Sequence, residues 1–361
     1  MQMAVDATGH LTLARHAQKQ QVYYCPTCGQ PLMLRRGQQK PAYFAHQRAC
    51  TPRAGGETAE HQQGKQQIMA WATRQGWQPQ AEVYLPMIQQ RPDVLVTINS
   101  RQVALEFQCS ALSLARLQER NRGYARLGIQ PVWFLGQPYQ RSLHRAKQAQ
   151  FTQLYHGRPC LYYWQVTRGQ LTWQTGQITP VATVAPRQVS WDVAWLQGNS
   201  TSSAATRQLL GALYQAGHIG VNCPLVAHYQ ETNWPLIDES LLAWHLRQLL
   251  ALEQVVLGTT WSWAGWWTFL TAQTTWLPLP CLTPPQVAQL HHQLLQAWTV
   301  ELAQAGIVTQ RAAGVQYAAG QPGLLVMRRK YGPYGVGREK KKAPDRQGLR
   351  ITGFESGVGR G

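Results

Sequence analysis

The sequence predicts an α/β protein with a small metal-stapled module in front of it and a mainly helical region behind. Three observations predict it: a Cys-x-x-Cys pair near the start, the order helix, three strands, helix, strand between residues 58 and 135, and long stretches of helical spacing after residue 200. At 361 residues the chain is long enough for several domains. The punctuation puts their edges at 1–54, 55–150, 151–327 and a basic, Gly-rich tail at 328–361, expected to be disordered.

The N-terminal segment reaches Tyr23-Tyr24-Cys25-Pro26-Thr27-Cys28-Gly29, then Tyr43-Phe44-Ala45-His46 and Cys50. Cys25, Cys28, His46 and Cys50 have the spacing of a tetrahedral structural Zn²⁺ site, with Cys50 either the fourth ligand or a bystander. A redox-active pair is the alternative, and no strand-helix frame surrounds Cys25 and Cys28 to support it. A module of this size buries little core, so the metal would supply folding energy.

After the joint at Pro52 to Gly56, a helix is expected from Thr58 until Gly76, with Ile68, Trp71 and Ala72 on its core stripe. Glu57, His61 and Lys65 recur every four residues and share one face, either as solvated weak pairs or as groups laid over a site. Gly64 should weaken this helix by about 1 kcal/mol relative to Ala. A strand at Ala81–Leu85 leads to two β-runs, Val94–Ile98 and Val103–Phe107, joined over Asn99-Ser100 as a hairpin. The period of two places Glu106 and Gln108 on one face of the second run and Leu105 and Phe107 on the other.

A buried carboxylate needs a partner. Asp93, at the mouth of the first run, can lie across the hairpin from Glu106, and two carboxylates with a backbone carbonyl suit Mg²⁺ or Mn²⁺. Such an ion polarises phosphate and activates water. Pro92-Asp93, a spacer, then Glu106-x-Gln108 outlines the PD-(D/E)xK nuclease core, with Gln108 where the motif carries Lys and Lys65 placed to stand in for it. The bland alternative is a hairpin acid at Asp93 and a Glu106 paired with Arg. A helix over Ser113–Leu127 lines up Arg116, Arg120 and Tyr124, which either clamp a phosphate or brace the sheet. A strand at Val132–Leu135 follows, joined in parallel through a right-handed crossover.

Taken in order, Cys25-Pro-x-Cys28, Tyr43-Phe44-Ala45-His46, Glu57-Thr58-x-Glu60-His61-x-x-x-Lys65, Arg91-Pro92-Asp93-Val94-Leu95, Glu106-Phe107-Gln108-Cys109-Ser110, Arg120-x-x-x-Tyr124 and Trp133-Phe134-Leu135 resemble the competence protein CoiA family over roughly residues 22–136. The resemblance implies a zinc-ribbon-like N-terminus before a restriction-endonuclease-like PD-(D/E)xK domain, in proteins associated with uptake and recombination of transforming DNA. Carried over, Asp93, Glu106 and Gln108 would be the nuclease core, with His61 and Lys65 its helix-borne companions.

Beyond residue 150 the chain is rich in Trp. Leu161–Val166 and Leu171–Thr175 suggest a hairpin whose Tyr162, Tyr163, Trp164 and Trp173 stack on bases or fill a core. Pro180–Arg187 reads as a linker, and helices are expected at Ala204–Ala216, Asp238–Gln254 and Pro284–Ala305, the last with Val287, Leu290, Leu294 and Trp298 as its buried stripe.

Charge narrows the function. Lys and Arg number 34 against 16 Asp and Glu, a net +18. From Arg120 to Trp191 there is no carboxylate, whereas Arg120, Arg122, Arg126, Arg141, Arg145, Lys147, Arg158, Arg168 and Arg187 all fall there. That block favours a polyanion, and Arg116, Arg120, Arg122, Arg126 and Tyr124 are the expected nucleic-acid contacts. Glu57, Glu60, Glu82, Asp93, Glu106 and Glu119 fall together, as a metal-dependent enzyme acting on DNA would need. No apolar run is long enough to span a membrane, no signal peptide is evident, and four of the 7 cysteines (Cys109, Cys160, Cys223 and Cys281) are scattered singly as suits buried free thiols, so a cytoplasmic protein is expected.

The expected function is Mg²⁺-dependent hydrolysis of DNA during transformation, with single-stranded transforming DNA and recombination proteins as the expected partners. Asp93 and Glu106 hold the ion, Gln108 orients water or metal, Lys65 balances developing charge, and His61 assists proton transfer or substrate placement. The alternatives are a non-cleaving DNA adaptor with a degenerate nuclease fold, and a structural zinc module with a protein-binding tail.

Overall fold

The computed structural model describes residues 3–6, 11–25, 31–37, 41–46, 59–141, 143–180, 184–198, 204–228 and 234–318. The tail expected at 328–361 lies outside the described residues. The chain divides into two compact units, Met1–Ser142 with Tyr162–Thr172, and Leu143–Leu161 with Trp173–Gly361.

The first unit opens with β1 (Met3–Asp6), β2 (Leu11–Leu13), β3 (Tyr23–Tyr24), β4 (Pro31–Arg35) and β5 (Tyr43–His46), an antiparallel sheet in the order β2-β1-β3-β4-β5. Its core is Ala4, Ala14, Ala17, Tyr23, Cys25, Leu32 and Phe44, with the Tyr23 and Phe44 rings 4.9 Å apart. Three of these seven are alanines, so the apolar area that the described residues bury in this sheet is small.

Helix α1 (Ala59–Arg74) buries Ile68, Trp71 and Ala72, as its spacing predicts. The chain then forms β6 (Gln80–Ala81), β7 (Val94–Ile98), β8 (Arg101–Gln108), α2 (Leu114–Arg126) and β9 (Gln130–Leu135). Strands β7 and β8 are an antiparallel hairpin; β9 runs parallel to β8. The turn residues Asn99 and Ser100 have φ of 48° and 64°, the left-handed pair whose twist matches a two-residue hairpin. Ser113 caps α2 by accepting from Arg116 N at 3.2 Å, and Gly128, φ +66°, follows its end. The strand expected at 81–85 is shorter: Pro86 brings no N–H, Gln89 is left-handed at φ 50°, and Leu85 bridges back to Gln90.

Both sheet faces are covered. Leu95, Ala104, Tyr124 and Ile129 pack together under α2. On the other face the Phe107 ring lies against Gly64, and Trp71 of α1 meets Phe134 and Trp164, each with ring centroids 5.9 Å away. Trp164 belongs to β11 (Arg158–Gln165), the strand after α3 (Gln137–Arg141), α4 (Arg145–Gln150) and β10 (Gln153–Tyr155). Its Tyr162 and Tyr163 pair in parallel with Phe134 and Leu135 of β9, which is why the first unit takes in Tyr162–Thr172 rather than closing at residue 150.

The second unit continues from β12 (Gln170–Thr175) into α5 (Pro186–Gly198), α6 (Ala204–Gln215), α7 (Leu241–Glu253), β13 (Thr260–Ser262), α8 (Trp263–Ala272), α9 (Pro284–Gln304), β14 (Val308–Arg311) and β15 (Gly314–Tyr317). The expected linker at Pro180–Arg187 is overrun at its end: Pro186 occupies the first position of α5, where its missing N–H is not needed, while residues 181–183 lie outside the described residues. Helix α7 begins at Leu241 rather than Asp238 because Ser240 caps it, accepting from Ala243 N at 3.2 Å. Thr283 and Gln286 form the capping box of α9. Of the expected stripe, Leu290, Leu294 and Trp298 are buried and Val287, one turn from the start of α9, is only half-buried; Trp298 stacks on His245 at 4.0 Å. The sheet β13-β15-β14 was not expected, since strands of 3 and 4 residues are too short to show alternation.

Candidate active site

Asp93 stands immediately before the registered pair Val94↔Leu105, which sets it beside Glu106 across the β7–β8 hairpin. The position is fixed from three sides. Phe107 N donates to Asp93 Oδ2 at 2.8 Å, His61 Nε2 of α1 lies 3.1 Å from the same oxygen, and Glu82 N donates to the Asp93 carbonyl at 3.2 Å. The His61 ring also stacks on Phe107, centroids 5.8 Å apart.

Glu106 is 3% exposed. Its Oε1 accepts from Arg120 and from the Tyr124 hydroxyl, both on α2. Arg120 also donates to the Arg91 carbonyl at 3.2 Å and to the Tyr124 oxygen at 3.0 Å. Burial pushes the Glu106 carboxyl above the usual carboxylate range, the Arg120 guanidinium pulls it back, and nearby Asp93 pushes it up again. Burial also holds the Tyr124 phenol well above its ordinary value, with Glu106 adding to it.

His61, Asp93, Glu106, Arg120 and Tyr124 therefore form one locality. Lys65 makes an ion pair with Glu82, whose backbone holds Asp93. Gln108 turns away along its own chain, donating to Ser110 O at 2.6 Å and Ser110 Oγ at 3.2 Å. Of the residues expected to contact nucleic acid, Arg122 and Arg126 are exposed and Arg116 pairs with Glu119 at 2.6 Å. Tyr124 requires a correction: it is 0% exposed, and its hydroxyl braces Glu106 instead of meeting a ligand. Spacing puts Arg120 and Tyr124 on one face of α2 but does not say what that face meets.

One oxygen of each acid, Asp93 Oδ1 and Glu106 Oε2, takes no hydrogen bond among the described residues. Two buried guanidinium nitrogens, Arg91 Nη2 and Arg120 Nε, likewise have no partner among them.

Residues 57–190 match the family model described as the nuclease-like domain of competence protein CoiA, and residues 10–52 match its N-terminal domain. Across these residues the chain is similar to the competence protein CoiA family. Competence protein CoiA of Bacillus subtilis (strain 168) is 36% identical over 131 residues, 35% of this chain and 35% of that relative. The alignment thus spans about a third of the CoiA relative's length. No solved structure matches. The locality described above lies wholly within the CoiA nuclease-like match.

At the CoiA N-terminal match, Cys25 follows β3 and His46 closes β5. Leu32 of β4 is registered with both Tyr23 and His46, so the two candidate ligands lie at one end of the sheet, two strands apart. Cys28 and Cys50 lie outside the described residues, as does Glu57. Among the described residues, no helix is long and apolar enough to cross a membrane.

A second constellation was not read from the sequence. Asp192 of α5 holds His228 Nδ1 at 2.7 Å, and His228 Nε2 lies 3.4 Å from Cys223 Sγ. The order resembles a nucleophile triad, but Cys223 is 0% exposed, and burial with the charge of Asp192 pushes its thiol up to about 12. A thiol so protonated and enclosed is a structural bolt.

Proposed function

We propose that this protein acts on incoming DNA during transformation as a metal-dependent nuclease with a restriction-endonuclease-like core. One observation carries it: Asp93 and Glu106 stand side by side across a hairpin, each with an oxygen unengaged by the described residues. Two hard carboxylate oxygens fit Mg²⁺ or Mn²⁺. When bound, the ion supplies a Lewis acid for a phosphodiester oxygen and a water of lowered pKa.

The chain's own groups do the rest. His61, 3.1 Å from Asp93, is positioned to hold or pass a proton at Nε2. Lys65 and Glu82 hold the backbone behind Asp93, and Arg120 and Tyr124 fix Glu106. The charge of Arg120 is met by Glu106, whereas Arg91 Nη2 is a buried donor that an anionic ligand would satisfy. A structural Zn²⁺ at Cys25, Cys28, His46 and Cys50 completes the reading, with recombination proteins as partners in the cytoplasm.

The test is purified protein with Mg²⁺ or Mn²⁺ on labelled single- and double-stranded DNA beside Asp93→Asn. Cleavage should require the ion and fall by roughly two orders of magnitude or more in the variant. A second reading, a non-cleaving DNA adaptor, is favoured by one observation: Gln108 replaces the motif's Lys and is bound to Ser110. DNA binding without ion-dependent cleavage in the parent protein would decide for it.

A further inference from the structure

The acid-free stretch continues into the second unit, where it carries a feature that the site at Asp93 and Glu106 does not use. In the β10–β11 hairpin Tyr155 pairs with Arg158 across a two-residue turn, His156-Gly157, with φ of 48° and 74°. Both turn positions are left-handed, where Asn and Gly are the residues of choice. His156 is instead an exposed aromatic there, its ring 4.3 Å from that of Tyr155. The Trp173 ring lies 5.8 Å from Tyr155 and is 39% exposed. Neighbouring aromatics differ: Tyr162 and Trp164 are buried core.

We propose that Tyr155, His156, Arg158 and Trp173 form a binding site for single-stranded nucleic acid, built from the second unit alone. The exposed rings of His156 and Trp173, each beside a half-buried Tyr155, take unpaired bases, and the exposed guanidinium of Arg158 takes a phosphate. A cleft of about 330 Å³ begins at Gly157 and Arg158 and is further lined by Gln177, Thr179, Gln293 and Gln296. Side-chain amides both donate and accept, which suits the mixed edge of a base. Charge selects the same partner, since no carboxylate occurs between Arg120 and Trp191 to repel a polyanion. A duplex keeps its base faces stacked inside, so the site should prefer single strands.

The test is fluorescence anisotropy of the full-length protein with a labelled deoxythymidine oligonucleotide, its ribonucleotide counterpart, and a duplex. Trp173→Ala should weaken binding of the single strands roughly ten-fold or more while leaving duplex affinity within about twofold. His156→Asn should weaken it too, although Asn suits the turn, which separates stacking from folding. Arg158→Gln should flatten the dependence of log K on log salt by about 0.7. Tyr214→Ala, removing an aromatic that is 80% exposed on α6, should change nothing. Parental affinity in both Trp173→Ala and His156→Asn, an equal loss on duplex, or the same loss in Tyr214→Ala would overturn the proposal. Such a failure leaves the hydrolytic reading standing, because Asp93→Asn is scored on cleavage.

Discussion

Gly64 shows how a single residue changes meaning between sequence and structure. Alone, it is a flaw in a helix, worth about 1 kcal/mol against Ala. In the fold, a methyl group there would lie 2.0 Å from Phe107 Cε1, against a ring that also stacks on His61. Overpacking of this kind costs about 1–3 kcal/mol, which exceeds the helix gain. Gly64→Ala should therefore lower the urea midpoint, and a raised midpoint would show that α1 can move off the sheet at little cost. Glu106 changes meaning as well. The sequence demanded a partner and left open whether it was a cation or an arginine; the partner found is Arg120, with a cation proposed for the other oxygen. Breaking a buried pair leaves an uncompensated charge, so Arg120→Leu should cost about 3–5 kcal/mol. In a double-mutant cycle with Glu106→Gln the combined loss should be smaller than the sum.

Among the elements, the hairpin and α2 were legible because turn residues, alternation and a cap coincide within about twenty residues. The attachment of α5 was not. Its Asp192, which accepts from Gln188 at 2.9 Å, holds His228 from 36 positions away. No local spacing encodes such a contact. Asp192→Ala would strand a buried imidazole and should lower stability by about 3 kcal/mol, read as a lower Tm. In the parent protein Cys223 should resist a thiol reagent until denaturant is added, and in Asp192→Ala it should react sooner.

Across the molecule, burial sets how stability follows pH. His245 is enclosed beside Trp298, donates from Nδ1 to Ala227 O at 2.9 Å, and is pushed by burial down to about 4. In the unfolded chain it would titrate near 6.5. Between those two values the unfolded chain binds more protons, so stability is full above pH 6.5, falls as pH drops, and stops falling from this group below about 4. The loss amounts to about 3 kcal/mol. Denaturation series at stepped pH on the parent and His245→Gln should show that fall in the parent and a shallower one in the variant.

What the amino-acid sequence determined by itself was local: the helix-strand order from 59 to 135, the hairpin and its turn, and the basic, acid-free block. These rest on periodicity, caps and composition, which act over a few residues. Only the tertiary structure decided which groups surround Glu106, that Gln108 bonds Ser110, that Tyr124 is closed to ligand, that Trp164 is core while Trp173 is surface, and that Pro186 starts a helix. Such outcomes depend on burial and on partners far away in the chain, and neither quantity is carried by the identity of a residue and its near neighbours.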